Sequence, residues 1–198
     1  MKVLVAGSTG KTGRRLIGEL KSRGHYPIAL VRESSDTSTL PSDVELRFGD
    51  LTELKEDVCE GCDVVIFAAG SGSHTGVDMT DKVDRDGAQR LVDLAKQAKV
   101  SRFVMLSSVG ADNPDPKSKL AHYLQAKHES DEYLKASGLS YAIVRPVRLT
   151  DEDGNRSMLF GDTVDVDGIA ARGDVSAVLA EAVDDEKWDN KVLTMQSI

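Results

Sequence analysis

The chain has 198 residues, 40% of them hydrophobic and 29% charged, the balance of a soluble domain built around one core. Thirty-three acidic against 25 basic residues leave a net charge of −8, which argues against nucleic acid or an anionic membrane surface as a partner. No run approaches a membrane span, and Met1 leads straight into a strand pattern with no room for a signal peptide, so a cytoplasmic protein is expected.

The apolar run Met1-Lys2-Val3-Leu4-Val5-Ala6 ends in Gly7-Ser8-Thr9-Gly10-Lys11-Thr12-Gly13, and a helical pattern (Arg14, Leu16, Ile17, Leu20) follows at once. Glycines spaced G-x-x-G-x-x-G between a strand and a helix build a turn whose helix N-terminus faces a phosphate. Gly7 then allows the turn, Gly10 admits a pyrophosphate close to the backbone, and Gly13 lets helix pack on strand. Further strands are expected at 26–31, 44–48 and 63–68, with a helix at 53–59 between the last two. A long amphipathic helix at 81–99 carries Val83, Ala88, Leu91, Val92 and Ala95 at helical spacing. A fifth strand at 102–106 precedes a helix at 118–136, closed by Ser137-Gly138. A sixth strand at 140–144, a helix at 174–183 and a last strand at 191–195 complete the pattern. Buried strands separated by helices imply an α/β fold: a doubly wound parallel sheet of Rossmann type in three αβα layers, as a single domain over 1–198.

The two cysteines, Cys59 and Cys62, form C-x-x-C. No second Cys or His pair completes a zinc set, so no metal is expected. The pair also sits at the wrong end of its helix for a thiolate, which leaves a structural role.

Ligands of such sheets bind beyond the C-terminal strand ends. After the second strand the first polar residue is Arg32, a cation suited to a 2′-phosphate and so to NADP rather than NAD. Lys11 could help neutralise the same phosphate, whereas a register shift would make Glu33 a ribose ligand. After the third strand, Asp50 could accept from an adenine amino group with Leu51 against the ring, or could merely cap the following helix. After the fourth, Ala68-Ala69-Gly70 is small and open, suiting backbone beside a ribose and pyrophosphate. His74, in the polar stretch beyond, reads as a solvated rim residue. After the fifth come Ser107 and Ser108, and fifteen residues past Ser108 lie Tyr123 and Lys127 on one helix face. A tyrosine that donates a proton near neutrality needs its pKa lowered from about 10, which a nearby ammonium does, while a serine hydroxyl orients a carbonyl. A surface tyrosine beside a solvated lysine has the same spacing.

With these residues in place the sequence resembles the short-chain dehydrogenase/reductase superfamily, and within it the small atypical branch of biliverdin/flavin reductase-like proteins. Gly7 to Gly13, Val31-Arg32, Gly49-Asp50-Leu51, Ala68-Ala69-Gly70 and Val83-Asp84-Arg85-Asp86-Gly87-Ala88 carry the likeness. So do Arg102 to Gly110, His122-Tyr123, Ala126-Lys127 and Ser137 to Pro146. The glycine spacing is that of the extended and atypical branches, many atypical members lack the tyrosine, and Pro146-Val147 stands where Pro-Gly is common. The resemblance implies Pro146 and Val147 near the nicotinamide amide. It also implies Ser108, Tyr123 and Lys127 as the catalytic set, with Lys127 holding the nicotinamide ribose. Only about 149–171 is left to cover substrate, which disfavours a bulky nucleotide sugar. The expected function is an NADP(H)-dependent oxidoreductase of a small carbonyl, quinone or flavin-like acceptor. The alternatives are a non-catalytic NAD(P) sensor, or an epimerase/dehydratase that recycles its nicotinamide. Monomer and homodimer both remain open.

Overall fold

In the computed structural model, which describes residues 1–72 and 75–198, the chain forms an eight-stranded sheet with helices on both faces. The expectation for His74 lies outside the described residues. The strands β1 (Lys2–Ala6), β2 (Tyr26–Val31), β3 (Glu45–Phe48), β4 (Val64–Phe67), β5 (Arg102–Leu106) and β6 (Tyr141–Pro146) run parallel. The order is β3-β2-β1-β4-β5-β6, extended by β10 (Lys191–Ser197), parallel to β6, and by β8 (Met158–Phe160), antiparallel to β10. A separate pair, β7 (Arg148–Thr150) and β9 (Ile169–Ala171), lies in the covering region. The chain reverses direction across the sheet between β1 and β4, where such folds open a crevice.

Alternate residues of the buried strands feed two cores. Val3, Val5, Ile66 and Val104 pack with α1 (Lys11–Ser22) and α5 (Arg172–Glu181) on one face. Leu4, Ala6, Phe67 and Phe103 pack on the other with the helices that precede and follow β5. The first of these is composite: α2 (Val77–Met79), a π-helical stretch (Thr80–Gly87), then α3 (Ala88–Gln97). The second is α4 (Ala121–Ala136). None of the described helices is long and apolar enough to cross a membrane.

Two expectations need correcting. The segment 53–59 is irregular, with turns from Glu56 onward, and not a helix. The Arg47 guanidinium donates to the carbonyls of Val58 and Glu60, 2.9 Å each, and so ties the turns that close this segment to β3. The helix expected at 81–99 starts at Val77 and carries the wider π winding through Thr80–Gly87. β7, β8 and β9 were not anticipated, because three residues are too few for a strand period to show.

Candidate dinucleotide site

The strand ends on either side of the β1/β4 crossover open on a cleft of about 790 Å³. That volume falls within the roughly 300–1,000 Å³ usual for ligand sites. Gly7, Thr9 and Gly10 line its floor, with Ala68, Ala69 and Gly70 opposite. Gly7 has φ +82°, and a Cβ there would stand 2.6 Å from the Ala69 nitrogen; a Cβ on Gly13 would drive into the Gly7 carbonyl oxygen. Any larger residue at either place would push helix and strands apart. Gly10 caps α1 without a side-chain hydrogen bond, and no acid occupies the first turn. Among the described residues no side chain caps the first-turn amides, which fits a diphosphate at the positive end of the helix dipole.

The other residues of the glycine segment have partners within the chain. Ser8 is buried and donates to the Leu30 carbonyl at 3.0 Å, tying β1 to β2. Thr12 is buried inside α1, its carbonyl accepting from Ser176. Lys11 does not line the cleft: its ammonium pairs with Asp151, which Arg172 also contacts. The loop after β7 thus supplies the acid that holds Lys11 outside the cleft lining.

At the other end of the cleft Arg32 and Ser35 contribute to the wall, and Glu33 does not. Asp50 and Leu51 line it too. Asp50 Oδ1 accepts from the Thr52 amide at 2.9 Å and hydroxyl at 2.8 Å, so it caps a turn rather than a helix. Those bonds and the nearby Arg32 hold its carboxyl below the usual range, against the effect of burial. Lys82 and Val83, on the π-helical stretch, complete the wall.

Lys127 lies beneath this wall, 2% exposed, within 3.5 Å of the carbonyls of Ala69 and Leu106. Its Nζ stands 2.9 Å from Asp84 Oδ1, an approach that is electrostatic rather than a well-aligned hydrogen bond. Asp84 Oδ2 accepts from the Ser71 amide at 2.9 Å. Phe67 and Tyr123 present their rings to the ammonium, with centroids at 5.3 and 5.7 Å. Burial pulls the Lys127 pKa down, but Tyr123 and Asp84 outweigh it and the balance lies above the ordinary lysine value. Tyr123 is half-buried, as is Ser108, whose hydroxyl donates to the Val109 carbonyl at 3.2 Å. Ser107, its neighbour, is committed to Asp131 at 2.8 Å. Pro146 and Val147 are buried at the end of β6, where Val109 donates to the Pro146 carbonyl at 3.0 Å. Asp84 is the residue that pattern reading missed. An acid among apolar positions on a helix face was the signal available.

Cys59 and Cys62 are free and buried, and burial pushes the Cys59 thiol up to about 12. Among the described residues no cluster of His, Cys, Asp or Glu could hold a metal ion.

A family described as NAD(P)H-binding matches residues 7–186. The Bacillus subtilis (strain 168) protein named "Uncharacterized sugar epimerase YhfK" is 33% identical, over 98% of this chain and 94% of its own length. A solved structure from Bacillus halodurans, provisionally named an NAD-dependent epimerase/dehydratase, superposes with a TM-score of 0.93 at 36% identity, over 100% of this chain and 94% of that one. The oxidoreductase ylbE from Lactococcus lactis gives 0.87 at 28% identity, covering 100% and 91%. Sheet order, glycine turn and these matches agree: the chain belongs to the NAD(P)H-binding family, as an atypical short-chain dehydrogenase/reductase.

Proposed function

We propose that the protein is an NADP(H)-dependent reductase of a small carbonyl, quinone or flavin-like acceptor. The observation that carries this reading is the Tyr123 ring against the Lys127 ammonium, on the helix after β5, with that ammonium reaching the Ala69 carbonyl of the cleft wall. Gly7, Thr9, Gly10 and the first-turn amides of α1 would hold the diphosphate, with Ala68 to Gly70 along the ribose. Asp50 and Leu51 would flank the adenine. Arg32, a cation in the wall where Glu33 is absent, favours a 2′-phosphate. The bound nicotinamide supplies the hydride. Tyr123 then gives its hydroxyl proton to the acceptor oxygen that gains charge, Ser108 donates a hydrogen bond to that oxygen, and Lys127 steadies the phenol electrostatically. Because Lys127 is pinned to Asp84 below the wall, it acts from beneath rather than by projecting into the cleft. The free thiols accord with a reducing compartment such as the cytoplasm.

A second reading, an epimerase that recycles its nicotinamide, is favoured by the names of the two Bacillus relatives. NADPH absorbance followed against a panel of quinones, aldehydes and flavins separates them. Oxidation by any acceptor, reduced by about 10²–10⁴-fold in Tyr123→Phe, supports a reductase with an acid tyrosine. Tightly held dinucleotide with no net oxidation supports the epimerase, or a sensor that turns nothing over.

A further inference from the structure

Three buried polar side chains take no part in the reaction above. Ser107 Oγ donates to Asp131 Oδ2 at 2.8 Å, and Arg145 donates to the same oxygen through Nε at 3.0 Å, its Nη2 completing the ion pair at 2.9 Å. Asp131 is inaccessible, and its Oδ1 has no hydrogen-bond partner among the described residues. Each member adjoins a candidate site residue. Ser107 precedes Ser108, Arg145 precedes Pro146, and Asp131 lies one turn beyond Lys127 and two beyond Tyr123 on α4.

Such a cluster is a poor way to gain stability. Desolvating an ion pair costs about what the attraction returns, and apolar residues of similar volume often hold a helix to a sheet as well or better. The unpartnered Oδ1 adds an uncompensated desolvation cost. What apolar packing lacks is direction: two hydrogen bonds and an ion-pair contact converging on one oxygen fix the ends of β5 and β6 relative to α4. The other ties of this region fall on the same loop. His128 Nδ1 bonds the Ala111 carbonyl at 2.7 Å, Arg145 Nη1 reaches to 4.0 Å from Asp112, and Val109 donates to Pro146. The loop that carries Ser108 is thus gripped from α4 and from β6.

We propose that Ser107, Asp131 and Arg145 are positioning residues that set the Ser108 hydroxyl against the Tyr123 phenol, acting on turnover and not on dinucleotide affinity. This rests on reading Ser108 and Tyr123 as the acceptor-facing pair. The test compares wild type with Ser107→Ala and with the apolar triple Ser107→Ala/Asp131→Leu/Arg145→Met. It measures thermal midpoint, NADPH affinity by fluorescence, kcat and KM for the acceptor, and amide exchange of residues 107–112 in the protein alone. The triple variant is expected to keep its midpoint and NADPH affinity, lose about ten- to hundredfold in kcat, and exchange faster at 107–112. Ser107→Ala removes one directed bond without stranding a charge, so it carries the same expectation in milder form should the triple fail to fold. Unchanged turnover and exchange in either folded variant overturns the proposal, as does a loss of NADPH affinity in step with kcat. Wild type that oxidises no NADPH defeats the reductase reading instead, and the exchange rates still judge the positioning role.

Discussion

Lys127 Nζ and Asp84 Oδ1 stand 2.9 Å apart where neither side chain meets solvent, one on α4 and the other on the π-helical stretch that walls the cleft. The pair joins two helices and, through the Ser71 amide, the loop after β4. Breaking such a pair strands a buried charge at a cost of about 3–5 kcal/mol. Asp84→Asn keeps the bond to Ser71 and removes only the charge, so urea denaturation should report a loss of that order. The pH dependence has a definite sign. The Lys127 pKa is raised above 10.5, so its contribution is present below that value and fades as pH climbs through the folded-state pKa. The gap between wild type and Asp84→Asn should therefore be widest near neutrality and narrow in strong alkali. A constant gap would mean that the charge pair is not its source.

Glycines in α1 separate steric need from mere tolerance. A Cβ on Gly13 collides with the Gly7 carbonyl, whereas at Gly18, one helix turn and more away, nothing lies within 4 Å. Gly13→Ala should destabilise by about 1–3 kcal/mol or more, the cost of an overpacked core against backbone that cannot yield. Gly18→Ala should stabilise by about 0.5–1 kcal/mol, the intrinsic helix preference for alanine. Thermal unfolding of the two variants decides it, and equal losses would refute the close packing of α1 on β1.

In the proposed site Arg32 is the residue that would discriminate between coenzymes. A charge-assisted bond to a 2′-phosphate is worth about 1.5–3 kcal/mol, or roughly ten- to hundredfold in affinity. Arg32→Ala should weaken NADPH by that factor and leave NADH within about twofold, by fluorescence titration. Equal weakening of both coenzymes would remove Arg32 from the 2′-phosphate and revive Glu33 as a ribose ligand.

The strands were readable because a parallel strand buried on both faces is written as an uninterrupted apolar run, as in Val64-Val65-Ile66-Phe67. The glycine turn was readable because its spacing is local. Long-range pairing was not. Residues 53–59 carry a helix-like spacing, yet their end is tied to β3 by Arg47, which donates to the Val58 and Glu60 carbonyls. Periodicity can mark position 84 as inward-facing but cannot say that Lys127, 43 residues on, is its partner. Lys11 showed the same limit: its place at the head of α1 was legible, but the acid that holds it comes from a loop 140 residues away.

That acid, Asp151, puts a negative charge beside the helix end proposed to receive a diphosphate. It shares its carboxylate between Lys11 and Arg172, and its backbone carbonyl accepts from Arg15. Lys11 and Asp151 are both more than half exposed, so their pairing is screened and adds little to stability. Its effect should be felt on the ligand instead. Asp151→Asn releases Lys11 and removes a repulsive charge, so NADPH should bind a few-fold more tightly at low salt with the melting midpoint unchanged. The advantage should shrink as ionic strength rises and the Debye length falls from about 30 Å at 0.01 M to about 8 Å at 0.15 M. Weaker binding at low salt would mean that Asp151 holds Lys11 in its working position, and that the loop after β7 is part of the diphosphate site.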